Sequence, residues 1–165
     1  MHIHQSNFVI PSNADFTEEN QSSFCTNFFI NDSFKIENDA DIETIVSSNN
    51  TTIVDKIYVC ESLLETYDSC SFTTYSLVGI NLKVTINIKY VNKCAIKRLF
   101  FANDTFFYTV YIAIPTTIPE AQLKDLTKKN KLWASIANET FNYKQTNFNT
   151  ISFSLLGLLN LHVEQ

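Results

Sequence analysis

The chain is nearly without the residues that break or bend a backbone: 2 Gly and 3 Pro in 165 residues. Collagen-like repeats, glycine linkers and proline-rich ligands are therefore excluded. A glycine-rich phosphate cradle is impossible by count. Histidine is equally scarce: His2, His4 and His162 neighbour no Cys, Ser or acid in a recognisable signature. There is no nucleophile elbow, P-loop or HExxH. No apolar run reaches the roughly 18 residues that a spanning helix needs. Residues 1–16 contain neither a basic region nor a long apolar stretch, so they do not read as a secretory signal. Synthesis in the cytoplasm is expected. The net charge is −5, from 12 basic and 17 acidic residues. A mildly acidic chain without a basic stripe is no nucleic-acid binder. Lys128, Lys129 and Lys131 form the one basic cluster and read as a solvated turn rather than a phosphate site.

Cys25, Cys60, Cys70 and Cys94 are spread out, with no CxxC and no zinc-finger spacing. They are read as reduced or buried thiols, or as cross-linking residues after release into an oxidising setting. The pairs Glu61/Glu65 and Asp39/Asp41 could be offered as catalytic carboxylates, but acids at such spacings are common on surfaces. His2 and His4 could hold a metal, though a frayed terminus is the plainer reading. No metal, cofactor or catalytic residue is assigned, and the chain is read as non-enzymatic.

What the sequence does have is aromatics (13%, with 14 Phe and 7 Tyr) and alternation. Between Ile80 and Tyr90 the even residues Ile80, Leu82, Val84, Ile86, Ile88 and Tyr90 are apolar, while Asn81, Lys83, Thr85, Asn87 and Lys89 are polar. A period of two puts these sets on opposite faces of a sheet. A helix would scatter the apolar ones around its circumference. Strands are also predicted over 54–65, 72–78, 80–91, 94–102, 106–114, 132–143 and 151–163. Turns are predicted at 68–71, 92–93, 103–104 and 147–149. Gly79 is read as a bulge or bend between two strands. Pro115 and Pro119 end a strand, because neither can donate to a ladder. A short helix is expected within 120–131. Leu156 and Leu158 add apolar groups to the second face of the last strand, which is therefore buried on both sides or covered by a partner. The fold class is all-β: an antiparallel β-sandwich or open barrel of about seven strands with an extended N-terminal leader.

Residues 1–50 are read as that leader and 51–165 as the β domain. The leader is rich in Ser, Asn, Asp, Glu and Gln, with apolar islands too sparse for a core of their own. It either packs on the domain's flank or acts as an arm adding a strand to a neighbouring subunit. Phe8, Val9 and Ile10, ending at Pro11, suit such β-augmentation. Trp133 and Tyr143 are expected to fill the core, with sugar stacking as the alternative. Asn50, Asn103 and Asn138 begin glycosylation sequons of the kind that arise by chance in an Asn- and Thr-rich chain.

One longer pattern remains. Val54–Val59 precedes Gly79 and the strand that ends in Tyr90-Val91. A polar turn, Arg98–Phe101, Phe106-Phe107 and a segment closing on Pro115 follow. This order resembles the SPOCS domain of spore coat and spore-morphogenesis proteins of clostridia and related bacteria. The resemblance covers roughly residues 53–163. Larger family members repeat the domain and often carry a peptidoglycan-binding LysM module, and neither is found here. The resemblance implies a structural protein of the spore surface, made in the mother cell, with itself and other coat proteins as partners. It would self-assemble into coat or appendage through strand edges and the arm, with Cys25, Cys60, Cys70 and Cys94 available for disulfides. The alternatives are a monomeric adaptor docking a morphogenesis partner through Lys83, Asn87 and Lys89, or a carbohydrate-binding module.

Overall fold

A computed structural model describes the backbone of residues 3–9, 14–18, 21–36, 41–68, 71–93, 96–115 and 118–164. Side chains are described for 23–36, 41–61, 74–93, 96–114 and 118–164. The described residues form eight strands and one helix: β1 (Ile3–Val9), β2 (Ala14–Glu18), β3 (Gln21–Lys35), β4 (Ile42–Asp68), β5 (Ser71–Asn92), β6 (Leu99–Pro115), α1 (Glu120–Lys128), β7 (Leu132–Asn147) and β8 (Thr150–Glu164). The first sheet has the order β1-β6-β5-β4 and the second β2-β3-β8-β7. Within each, the three long strands are antiparallel; β1 joins β6 in parallel and β2 joins β3 antiparallel. The architecture is an all-β sandwich, one of the two forms expected from the alternation.

The alternating segment lies where its pattern demands. β5 is central in the first sheet, and Val78, Ile80, Leu82, Val84, Ile86, Ile88 and Tyr90 are buried. Burying an aliphatic side chain of this size is worth about 1.5–3 kcal/mol. The inward residues of β6 face the same core, as do Ile151, Phe153, Leu155, Leu159, Leu161 and Val163 of β8. Phe106 and Phe153, with ring centroids 5.1 Å apart, join the two sheets. Leu123 and Leu126 of α1 complete the core at one end.

Several expected boundaries move. Phe24, Phe28, Ile30, Phe34 and Ile36 are core residues on or just beyond β3, so this half of the expected leader is built into the sandwich. Its apolar islands are too sparse alone but sufficient when β8 supplies the neighbouring face. The division at residue 50 falls inside β4, which continues unbroken to Asp68. Asn103-Asp104 is no turn; both residues pair with β5 in the middle of β6.

Gly79 does not divide two strands either. It sits inside the continuous β5 without a positive φ. Its function is space. A Cβ there would lie 2.4 Å from Cζ of Tyr58, its cross-strand partner. Gly157 repeats the arrangement in the second sheet, where a Cβ would lie 2.5 Å from Cζ of its partner Phe28. Both glycines of the chain thus make room for a ring.

One long side of the sandwich is closed. Asn50 Nδ2 and Thr52 Oγ1 of β4 donate to the Glu139 carboxylate of β7. Gln145 Nε2 donates to the Ile42 carbonyl at 3.2 Å. The opposite side, between β3 and β6, is bridged by the Tyr108 hydroxyl donating to Asp32 Oδ2 at 2.9 Å.

Candidate functional site

Three surfaces remain once the core is assigned: the outer face of each sheet and the open side. On the outer face of the first sheet, the registers of β4, β5 and β6 line up equivalent residues in rows. Ser47, Lys89 and Phe101 form one row, Asn49, Asn87 and Asn103 the next, then Thr51, Thr85 and Thr105, then Ile53, Lys83 and Phe107. Asn87 Nδ2 donates to Asn49 Oδ1 at 3.1 Å, and the Thr85 and Thr105 hydroxyls are 3.2 Å apart. Lys89 Nζ lies 5.6 Å from the Phe101 ring centroid. Phe101 is 75% exposed and Phe107 40%. Lys83, Asn87 and Lys89, singled out as a partner face, are thus together on this surface, and the fold adds two exposed rings beside them.

Further along this face, Tyr58, Gly79 and Tyr111 make another row, with Tyr58 and Tyr111 hydroxyls 3.4 Å apart. Burial, reinforced by Tyr111, pushes the Tyr58 phenol up to about 12. The same side holds Cys60, whose thiol is pushed up by burial and partly relieved by the Gly79 amide. A thiol held protonated is a weak nucleophile. Cys25 lies across the molecule in β3, opposite Asn160. Cys25 and Cys60 are both free thiols on different sheets. Cys70 and Cys94 lie outside the described residues.

The outer face of the second sheet carries Trp133, expected in the core but 48% exposed. The reason is a bulge. Pairing of β7 with β8 shifts between Ala137 and Thr140, and Asn138 has a φ of 52°. An inserted residue reverses the alternation beyond it. Phe141 therefore packs on the core 6.3 Å from Phe153, while Trp133 faces outward. Its indole stacks on His162 at 3.8 Å and 15°, and Ser135 Oγ lies 3.2 Å from His162 Nε2. Burial lowers the His162 pKa. A nucleophilic triad needs a third group that orients the imidazole, and no carboxylate contacts His162 among the described contacts. Tyr143, also expected inside, is 40% exposed at the edge of the sandwich. Leu156 is 47% exposed and Leu158 half-buried, so the second face of β8 is open in the single chain.

At the open side, β1 pairs with β6 from Phe107 to Ile112, placing Phe8 opposite Tyr111 and Val9 opposite Ile112. Ile10 lies outside the described residues. Among the described residues, Leu99–Phe106 has no strand on that edge, and neither has β3 beyond Phe24. A cleft between them is lined by Phe34, Ile36, Tyr90, Phe101 and Asn103.

Of the two carboxylate pairs, Glu61/Glu65 and Asp39/Asp41, Glu61 and Asp41 are exposed, while Asp39 and the Glu65 side chain lie outside what is described, as does His2. His4 belongs to β1. Lys129 pairs with Asp125 at 2.7 Å on the end of α1, so the basic cluster is a solvated helix terminus. No group of three or more His, Cys, Asp or Glu suited to a metal occurs among the described residues. No helix among them is long and apolar enough to cross a membrane. Comparison with protein-family models, with curated proteins and with solved structures finds no match.

Proposed function

We propose that the chain is a non-enzymatic structural subunit of the bacterial spore surface, self-assembling into coat or appendage through its strand edges and N-terminal arm. The observation that carries this reading is the open β6 edge. β1 is seated on one half of it as an added strand, while Leu99–Phe106 carries no strand on that outer edge among the described residues. That stretch has no proline, and its outward side chains include the exposed Leu99 and Phe101. Such an edge templates pairing with another chain. A strand that completes an edge within its own chain can make the same hydrogen bonds to a neighbour, which is the route of domain swapping. A head-to-tail exchange of this kind yields filaments where its rotation does not close, and rings where it does. The SPOCS resemblance assigns the setting: synthesis in the mother cell, deposition on the spore, and other coat proteins as neighbours. Cys25, Cys60, Cys70 and Cys94 are then available for disulfide cross-links.

The test compares the full chain with one lacking residues 1–13 by electron microscopy and sedimentation, with and without reductant. Multimers are expected for the full chain and their loss on deletion. Reductant shifts the distribution only where cysteines cross subunits. A stable monomer in both cases overturns the reading.

The adaptor reading draws on one different observation, the convergence of Lys83, Asn87 and Lys89 with Phe101 on an open face. It is separated from self-assembly by reversing the charge of Lys83 and Lys89. An adaptor then loses its morphogenesis partner, while a self-assembling subunit keeps its multimers.

A further inference from the structure

We infer that the outer face of the first sheet binds an acidic polysaccharide, a glycan chain bearing carboxylates, along the β6 direction. The inference goes beyond self-assembly and does not rest on it. Phe101 and Phe107 project from the same face of β6 and are both exposed. Six residues of strand separate them, about 20 Å, a span that accommodates several pyranose rings. Between them lie the asparagine and threonine rows. A pyranose has an apolar C–H face and a rim of hydroxyls. The first suits an exposed ring, and the second needs groups that both donate and accept. A primary amide does both, and a threonine hydroxyl does as well. Asn87 and Asn103 are neighbours in one row, so their amides present that capacity at the spacing of adjacent strands, about 4.8 Å.

Charge selects the kind of glycan. Lys89 stands across from Phe101 and Lys83 across from Phe107, so each ring has a cation beside it. No acidic side chain occurs in the four rows from Ser47 to Phe107, although the chain as a whole carries −5. Two lysines are too few for a nucleic-acid backbone, which takes about six or more phosphate contacts. A second copy laid face to face would bring its own Lys83 and Lys89 to a surface whose four rows offer no acidic side chain to pair them. Edge-on addition of another chain at β6 extends the sheet in its own plane and leaves this face open.

Affinity electrophoresis of the full chain in native gels tests the inference with carboxymethylcellulose and hydroxyethylcellulose, two polymers that share a backbone and differ in charge. Retardation by the carboxylated polymer and much less by the neutral one is expected. The Phe101→Ala/Phe107→Ala variant should bind about tenfold more weakly, the factor that follows from losing a ring contact. Lys83→Gln/Lys89→Gln should lose the difference between the polymers. Trp133→Ala, on the other sheet, should bind as the parent does. All four positions on the face are exposed or half-exposed, and melting curves check that the variants fold. Sedimentation run alongside separates the two readings, since glycan binding fails here with the multimer distribution unchanged. Absence of retardation by carboxymethylcellulose overturns the inference. So do equal retardation by the neutral polymer and undiminished binding by the folded phenylalanine variant.

Discussion

Replacing Gly157 by Ala puts the argument about the two glycines to a quantitative test. The added Cβ would sit 2.5 Å from Cζ and 2.6 Å from Cε1 of Phe28. Carbon atoms in contact prefer about 3.5–4.0 Å, so the ring must retreat by about 1 Å. Phe28 is only 1% exposed, in a core packed without spare volume. Over-packing of this kind costs about 1–3 kcal/mol. Removing a glycine from a strand interior returns about 0.5–1 kcal/mol. The net expectation is a loss of about 1–2 kcal/mol. For a chain of this size that is a drop in melting temperature of about 2–8 °C. Urea denaturation should show a lower midpoint at unchanged slope, the mark of altered stability rather than altered compactness. The double variant Gly157→Ala/Phe28→Leu should be more stable than the sum of its parts, because the smaller side chain removes the collision. Gly79→Ala is the internal control. Its Cβ meets Tyr58 at 2.4 Å, but that ring lies on the outer face and can swing into solvent at smaller cost. A Gly157→Ala protein as stable as the parent, strict additivity with Phe28→Leu, or a larger penalty at Gly79 would refute the reasoning.

Further expectations concern titration and backbone. Because burial holds the His162 imidazole below its ordinary value, the unfolded chain takes up that proton first as pH falls. Stability from this group is complete above about pH 6.5 and is lost as pH drops through the folded value. Trp133 is the single tryptophan and stacks on this ring, so its fluorescence should be quenched over the same interval and unresponsive in His162→Gln. Tyr58 works in the opposite direction. Its phenol is raised from 10.0 to about 12, so its contribution is intact below pH 10 and declines as pH climbs toward 12. Urea midpoints across that interval should fall less steeply for Tyr58→Phe, and an unchanged slope would dissociate the effect from this residue. At the β7 bulge, Asn138→Val should cost about 1–2 kcal/mol because a β-branched side chain resists a left-handed backbone, whereas Asn138→Gly should be neutral or stabilising in the same denaturation assay.

How far the site was legible follows from the same residues. Lys83, Asn87 and Lys89 share a face because a strand has a period of two, and that can be read from the chain itself. Phe101 and Phe107 beside them could not be seen, since Asn103-Asp104 between them reads as a turn. Only pairing with Asn87 and Ile86 keeps those two residues extended. The asparagine and threonine rows depend on the registers of three strands at once, which no local pattern carries. The stack of Trp133 on His162 was hidden by the bulge at Asn138, because parity counted without it groups Trp133 with Phe141 inside the core.

Composition and alternation settled the class of this protein, all-β as a sandwich or open barrel, with the Ile80–Tyr90 stretch of β5 turning one predictable face to the core. They did so because burial of every second side chain is a local property of an extended chain. Only the assembled sheets place residues 21–35 inside the sandwich, set a ring against each glycine, and leave Leu99–Phe106 without a strand on its outer edge among the described residues. Each of these depends on which strand lies opposite. Partner choice and register are set by packing between segments far apart in the chain, so they become visible only when the sheets are assembled.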